Sequence, residues 1–205
     1  MTTPLFPLPG LRVLLADAGQ RRSPVIRLEL IRLRCQLVDV IDLVAEPTAL
    51  PSALERLAPE LLLIDCDQPT PGLLTQLGEA LQRQPRPVLL VAEQMTPEQM
   101  RAALTAGVSA LQLAGLPPQR LGALLQLALA RFEHDQSLQR DLRQTQTQLA
   151  ERKLVERARG ILMREQGLDE DAAFQRLRQI AMDSGQTLAA VATRLIDADQ
   201  LLRPR

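Results

Sequence analysis

Few residues in this 205-residue chain have side chains suited to chemistry. The two cysteines, Cys35 and Cys66, sit in apolar surroundings without any Cys-x-x-Cys pair. They read as buried thiols of a reducing cytosol, not as a zinc site. His134 is the one histidine, and no nucleophile–base or metal-ligand spacing surrounds it. No catalytic residue, metal or cofactor is therefore expected. Two carboxylates close apolar runs, Asp17 in VLLAD and Asp65 in LLLIDCDQP. A last set is basic: Lys153, Arg157, Arg159 and Arg164, then Arg176 and Arg178. The formal net charge is zero, so any binding of nucleic acid requires a local basic face. Acids cluster at 169–171 and 197–199, which leaves the stretches 152–164 and 176–186 positive. On charge alone, a salt-bridged helix surface is the plainer reading.

The elements that must position these groups follow from hydrophobic periodicity. Apolar runs at Leu11–Ala16, Cys35–Leu43, Glu60–Ile64, Pro87–Ala92 and, more weakly, Val108–Leu113 read as strands. Between them, residues 23–34 (Ser23 as cap, Pro24 in the first turn), Pro51–Leu57, Leu73–Gln82 and the stretch from Thr96 to Thr105 read as helices. Short apolar strands alternating with helices imply a parallel sheet covered on both faces, an α/β flavodoxin-like, doubly wound five-stranded arrangement over 11–130. The core must be aliphatic, because the chain has no Trp, no Tyr and three Phe: Phe6, Phe132 and Phe174. The first ten residues read as a loose arm and not as a signal peptide, and no run is long enough for a membrane span.

From Gly122 the texture changes. Ala123 to Arg159 contains neither Gly nor Pro, enough for one helix of roughly 55 Å at 1.5 Å per residue. Leu138, Leu142, Thr145 and Leu149 fall at 4-3-4 spacing, a short coiled-coil seam within a linker helix over 119–157. Such a stripe must bury itself somewhere, so a homodimer through Leu121, Leu138, Leu142 and Leu149 is expected; a solvated linker is the alternative. Beyond it, 151–202 reads as a small three-helix domain. Gly167 ends the first helix, Asp169 and Thr187 cap the next two, and Ser184-Gly185 separates them. Leu154, Ala158, Ile161 and Leu162 would pack against Ala173, Phe174, Leu177, Ile180 and Ala181, and against Leu188, Val191, Ala192 and Leu195.

The front half resembles the receiver domains of response regulators through the order of its elements, the placement of Asp17, and Asp65 with Pro69 four residues on. The resemblance implies a phosphoacceptor at Asp65 and a Mg²⁺ site that uses an acidic pair after the first strand. The sequence departs from it at each further point. Ala18 follows Asp17, Val91 occupies the hydroxyl position, and Ala114 the lysine position. The one lysine of the whole chain is Lys153, and an arginine fork is a poor substitute for a point-charge ammonium. The front half is therefore expected to be a pseudo-receiver, with Asp17 and Asp65 as ordinary strand-end carboxylates.

The C-terminal run is similar to the ANTAR domain of bacterial transcription antiterminators. The matching residues are Ala158, Arg159-Gly160-Ile161-Leu162-Met163, Gly167-Leu168, Phe174, Leu177-Arg178, Ala181-Met182-Asp183-Ser184 and Val191-Ala192. The resemblance implies binding to leader RNA with two stem-loops carrying hexanucleotide loops, which prevents a terminator from forming. Lys153, Arg157, Arg159, Gly160, Arg178, Ser184 and Gln186 are the expected RNA contacts, with Ala181 permitting close approach and Phe174 in the core. A pseudo-receiver joined to such a domain resembles the nitrate-assimilation antiterminators of the NasT type. That resemblance implies a nitrate-sensing partner protein that holds the regulator inactive; an amide-sensing partner controls a related regulator. The alternatives are a phosphorylation-controlled response regulator with RNA output, or one with a DNA-binding helix-turn-helix output. The second is disfavoured because Leu188–Asp197 is mostly small and apolar.

Overall fold

A computed structural model describes residues 8–19 and 22–202. The chain divides into two compact units, residues 1–136 and 137–205. The first is an α/β unit with strands β1 Arg12–Asp17, β2 Gln36–Asp42, β3 Leu61–Cys66, β4 Val88–Ala92 and β5 Ala110–Gln112. All pairings are parallel, in the order β2-β1-β3-β4-β5, the doubly wound order the sequence implied. Helices α1 Ser23–Arg32, α2 Ala49–Leu57, α3 Pro71–Arg83 and α4 Pro97–Thr105 alternate with the strands.

The two sheet faces are filled separately. Leu14, Leu62, Ile64 and Leu90 pack under α2, α3 and α4 through Leu50, Leu54, Leu74, Leu77 and Ala103. Val13, Leu15, Leu61, Leu63 and Leu89 pack on the other face under Ile26 and Leu30 of α1. Both faces are covered, which is why the central strands read as continuous apolar runs and not as alternating ones. Local chemistry fixes the helix starts. Thr70 accepts from Leu73 N at 3.2 Å, and Thr96 forms a reciprocal capping box with Gln99. Ser23 is not the cap it was expected to be. It is the first residue of α1, and Arg22 occupies the cap position without a capping hydrogen bond. Of the expected N-terminal arm, residues 1–7 lie outside the described residues, while Leu8 and Gly10 are tied down by bonds of 2.9 Å to the Leu33 and Arg34 carbonyls.

Helix α5, Leu121–Gln166, contributes to both units. Its first turns belong to the sheet unit, where Leu121, Leu125 and Ala128 are buried beside α1 residues. Leu121, expected in a dimer seam, is 0% exposed in that core and leaves the seam list. A single apolar residue at a helix start fits either role, and the sheet face captures it. Leu138, Leu142 and Leu149 are 54%, 58% and 55% exposed.

The second unit packs the end of α5 against α6 Glu170–Ser184 and α7 Leu188–Leu202. Gly167 and Gly185 take left-handed conformations, at φ +64 and +63, where a glycine avoids the Cβ penalty. Asp169 accepts from Ala172 N at 2.7 Å and Thr187 from Ala190 N at 3.2 Å, so both caps are where the sequence put them. The core is Ala158, Ile161, Leu162, Ala173, Leu177, Ala181, Val191, Ala192 and Ile196. Phe174 is a correction: it is only partly buried, at the rim of the second helix.

Candidate functional site: an acidic pocket and a basic helical surface

In the sheet unit, β1 and β3 run side by side and bring Asp17 level with Asp65 at their carboxyl ends. This is the switch point where doubly wound sheets bind ligands. Asp65 is fully buried and Asp17 nearly so. Arg22, from the start of α1, enters this pocket with its side chain 18% exposed. Its Nε donates to Asp65 Oδ1 at 2.7 Å, Nη1 to Glu93 Oε2 at 2.5 Å, and Nη2 to the Cys66 carbonyl at 2.6 Å. Three segments are thereby joined by one guanidinium fork.

The surrounding backbone is equally committed. Ala18 N donates to the Asp65 carbonyl at 2.7 Å, and Gly19 N to Asp17 Oδ1 at 3.1 Å. Glu93 N and Gln94 N both donate to the Asp67 carbonyl at 3.0 Å. Val91 pairs with Asp65 across β3 and β4 and is buried, so no hydroxyl stands there. Ala114 adopts a left-handed φ of +55 and donates its N–H to the Glu93 carbonyl at 3.3 Å.

The electrostatics follow from burial. Desolvation pushes the Asp65 carboxyl above the usual carboxylate range; the hydrogen bond and charge of Arg22 pull it down, and Asp17 and Asp67 push it up again. Burial alone would lower Arg22, but its hydrogen bond to Asp65 and the charges of Asp65, Glu93 and Asp67 together hold it above its ordinary value. Asp65 Oδ2 has no hydrogen-bond partner among the described residues. A carboxylate that attacks a phosphoryl donor must present an oxygen to solvent, and Asp65 presents none. Among the described residues, no cluster of three His, Cys, Asp or Glu side chains is arranged to hold a metal ion. No local sequence pattern marks Arg22, whose partner Asp65 is 43 positions away.

In the helical unit, the expected RNA contacts fall into separate groups. Lys153, Arg157, Gly160 and Arg164 lie at i, i+4, i+7 and i+11, on one flank of the α5 stripe formed by Leu154, Ala158 and Ile161. Lys153, Arg157 and Gly160 are exposed. Arg164 is held by Asp199 at 2.8 Å and Glu165 at 2.9 Å. Arg159 faces the other flank and pairs with Glu170 at 2.7 Å. The acids at 169–171 and 197–199, expected to stand apart from the basic face, thus neutralise two of its members.

On α6, Phe174, Arg178 and Met182 fall at i, i+4 and i+8 on one stripe, and Met182 is 68% exposed. Lys153, Arg157, Arg176 and Arg178 have no ion-pair partner among the described residues. The Ser184 hydroxyl donates to the Ile180 carbonyl at 2.7 Å, and Gln186 Oε1 accepts from Arg194 at 3.1 Å; both residues remain exposed. Ala181 is buried in the three-helix core, as its spacing from Leu177 implied. Among the described residues, no helix is long and apolar enough to cross a membrane.

Residues 143–196 match the ANTAR domain family. The transcriptional regulatory protein PdtaR of Mycobacterium tuberculosis is 27% identical over 134 residues, 65% of this chain and 65% of that protein. The nitrate regulatory protein of Klebsiella oxytoca is 38% identical over 80 residues, 39% of this chain and 20% of that protein. The chain thus spans less than two thirds of the length of these relatives. A CheY-like response regulator receiver domain from Methanospirillum hungatei superposes with a TM-score of 0.51 at 17% identity, covering 62% of this chain and 98% of the other. That likeness concerns fold alone. The ANTAR match thus falls on residues 143–196, the sheet unit has a receiver-like fold, and both named relatives are regulatory proteins.

Proposed function

We propose that this ANTAR-domain regulator with a receiver fold is a cytoplasmic antiterminator. It binds leader RNA through the three-helix unit and lets polymerase pass a terminator. The observation that carries the reading is the ANTAR match over 143–196 on a domain whose surface holds Lys153, Arg157 and Arg178 without ion-pair partners among the described residues. Unpaired cations are the groups that release counterions from a phosphate backbone.

The target is RNA carrying two short stem-loops with hexanucleotide loops. Loop bases are unstacked and open to side chains, whereas paired A-form RNA hides its edges in a deep groove. Without Trp or Tyr, stacking falls to the Arg178 plane and to the adjoining Phe174 and Met182. Ser184 and Gln186 follow at the end of α6, Gly160 lies beside Arg157 on α5, and Arg159 becomes available when RNA displaces Glu170. Two copies, joined by Leu138, Leu142 and Leu149, would present two such surfaces to the paired hairpins.

The operon controlled is one of nitrate or nitrite assimilation, and a nitrate-sensing partner protein holds the regulator inactive until nitrate releases it. Similarity to the nitrate regulatory protein supports this assignment. Phosphoryl control is the weaker reading, because Asp65 is buried and ion-paired. The test is gel-shift binding of the full chain to a two-hairpin leader RNA and to duplex DNA at one salt concentration. Preference for the RNA supports the assignment; equal or tighter binding to duplex DNA overturns it.

A further inference from the structure

The receiver fold implies a divalent ion at the carboxyl ends of β1 and β3, bound by carboxylate and carbonyl oxygens. The residues present do not fit one. Ala18 stands where a second acid is needed, and the described residues contain no cluster of metal-ligating side chains. The Asp65 Oδ1 and Cys66 carbonyl oxygens already receive Arg22.

We infer that Arg22 is the resident cation of this pocket. Its guanidinium takes the place of the ion, binds β3 to the start of α1 and to the segment after β4, and sets the sheet unit in one arrangement without metal or phosphoryl group. Three observations converge. Asp65 is fully buried, and a buried carboxylate requires a partner charge. Arg22 supplies that charge together with two further donors in a fixed fork, reaching two acceptors at the end of β3 and one in the segment after β4. Arg22 also sits at a helix cap position, where Ser, Thr, Asp or Asn would be the local preference, and makes no capping bond there. The pocket accounts for an arginine at that position; the helix does not.

In a receiver that responds to phosphoryl transfer, the cation comes from solution and binds with the phosphoryl group. A tethered cation is always present, so nothing is left for a phosphodonor to change. Arg22 is a positioning residue for the sheet unit and touches no ligand.

The test is thermal unfolding of the full chain, followed by circular dichroism. The variants are Arg22→Ala, Arg22→Lys, Asp65→Asn and the double variant Arg22→Ala/Asp65→Asn. Each is measured alone and with Mg²⁺ plus beryllofluoride, a phosphoryl mimic. The wild-type midpoint should not respond to Mg²⁺ and beryllofluoride. Arg22→Ala should lower it by about 5 °C or more. Arg22→Lys should not restore it, because an ammonium cannot span the three acceptors. The double variant should lose clearly less than the sum of the single losses. A wild-type rise with Mg²⁺ and beryllofluoride that Asp65→Asn abolishes would overturn the inference, and so would additive losses. If Arg22→Ala does not accumulate folded, Arg22→Gln with Asp65→Asn closes the same cycle. None of these readouts involves RNA, so the inference stands or falls separately from the antiterminator reading.

Discussion

Arg157→Ala and Arg159→Ala are neighbouring charge removals that should act differently on RNA binding. Arg157 is exposed with no ion-pair partner among the described residues, whereas Arg159 is 28% exposed and bound to Glu170 at 2.7 Å. Each phosphate neutralised steepens the fall of affinity with salt by about 0.7–0.9 logarithmic units per decade. Across a fourfold rise in salt, one contact is therefore worth a factor of about three. Arg157→Ala should weaken binding by roughly two- to fivefold, as expected for 0.5–1 kcal/mol at an exposed site. It should also flatten the salt slope by nearly one unit. Arg159→Ala should leave that slope almost unchanged, since its charge is already balanced. The assay is filter binding of the full chain to two-hairpin RNA across a salt series. An unchanged slope in Arg157→Ala, or an equal flattening in Arg159→Ala, would refute the division of the basic residues into paired and unpaired sets.

Three further perturbations probe other parts of the structure. Leu177→Ala empties the centre of a nine-residue core, and about 2–5 kcal/mol is comparable to the whole stability of so small a unit. It should abolish RNA binding and leave hydrogen-exchange protection in β1 and β3 intact; retained RNA binding would contradict the packing. Replacing Leu138, Leu142 and Leu149 together by Gln should convert a dimer to a monomer in sedimentation equilibrium without lowering helicity, because all three are exposed within the single chain. A dimer surviving the triple change would place the interface elsewhere. The last concerns alkaline pH, where the absence of Tyr and the single Lys leave few groups to titrate. Burial pushes the thiols of Cys35 and Cys66 up to about 11 and about 12 from 9.0. Folded-state values above unfolded ones mean that their contribution is complete below pH 9 and is lost as pH rises through about 11 and 12. Cys66→Ala should flatten that loss in denaturant titrations, and a loss of the same size in the variant would count against the burial argument.

Much of this molecule was legible in its sequence because local rules and the tertiary structure agree. The strands are apolar runs since both sheet faces are covered, and the Thr96, Asp169 and Thr187 caps act within three residues of themselves. What escaped depends on distance or on direction. Arg22 meets Asp65 and Glu93 only after the sheet has formed, so no local pattern marks it. Leu121 shares its apolar character with Leu138, and only the sheet beneath it decides that it is core. Arg159 and Arg157 look alike in the sequence, yet the helix turns them to different flanks, one beside Glu170. Ala181, by contrast, sits at i+4 from Leu177 and lies in the core that this spacing implied.

The most direct measurement of the central claim is single-round transcription through a leader that carries two hexaloop hairpins upstream of a terminator. Full-length protein is added with and without acetyl phosphate. Read-through should rise with protein and be the same in both conditions. Read-through that does not rise, or that rises only with acetyl phosphate, would contradict it.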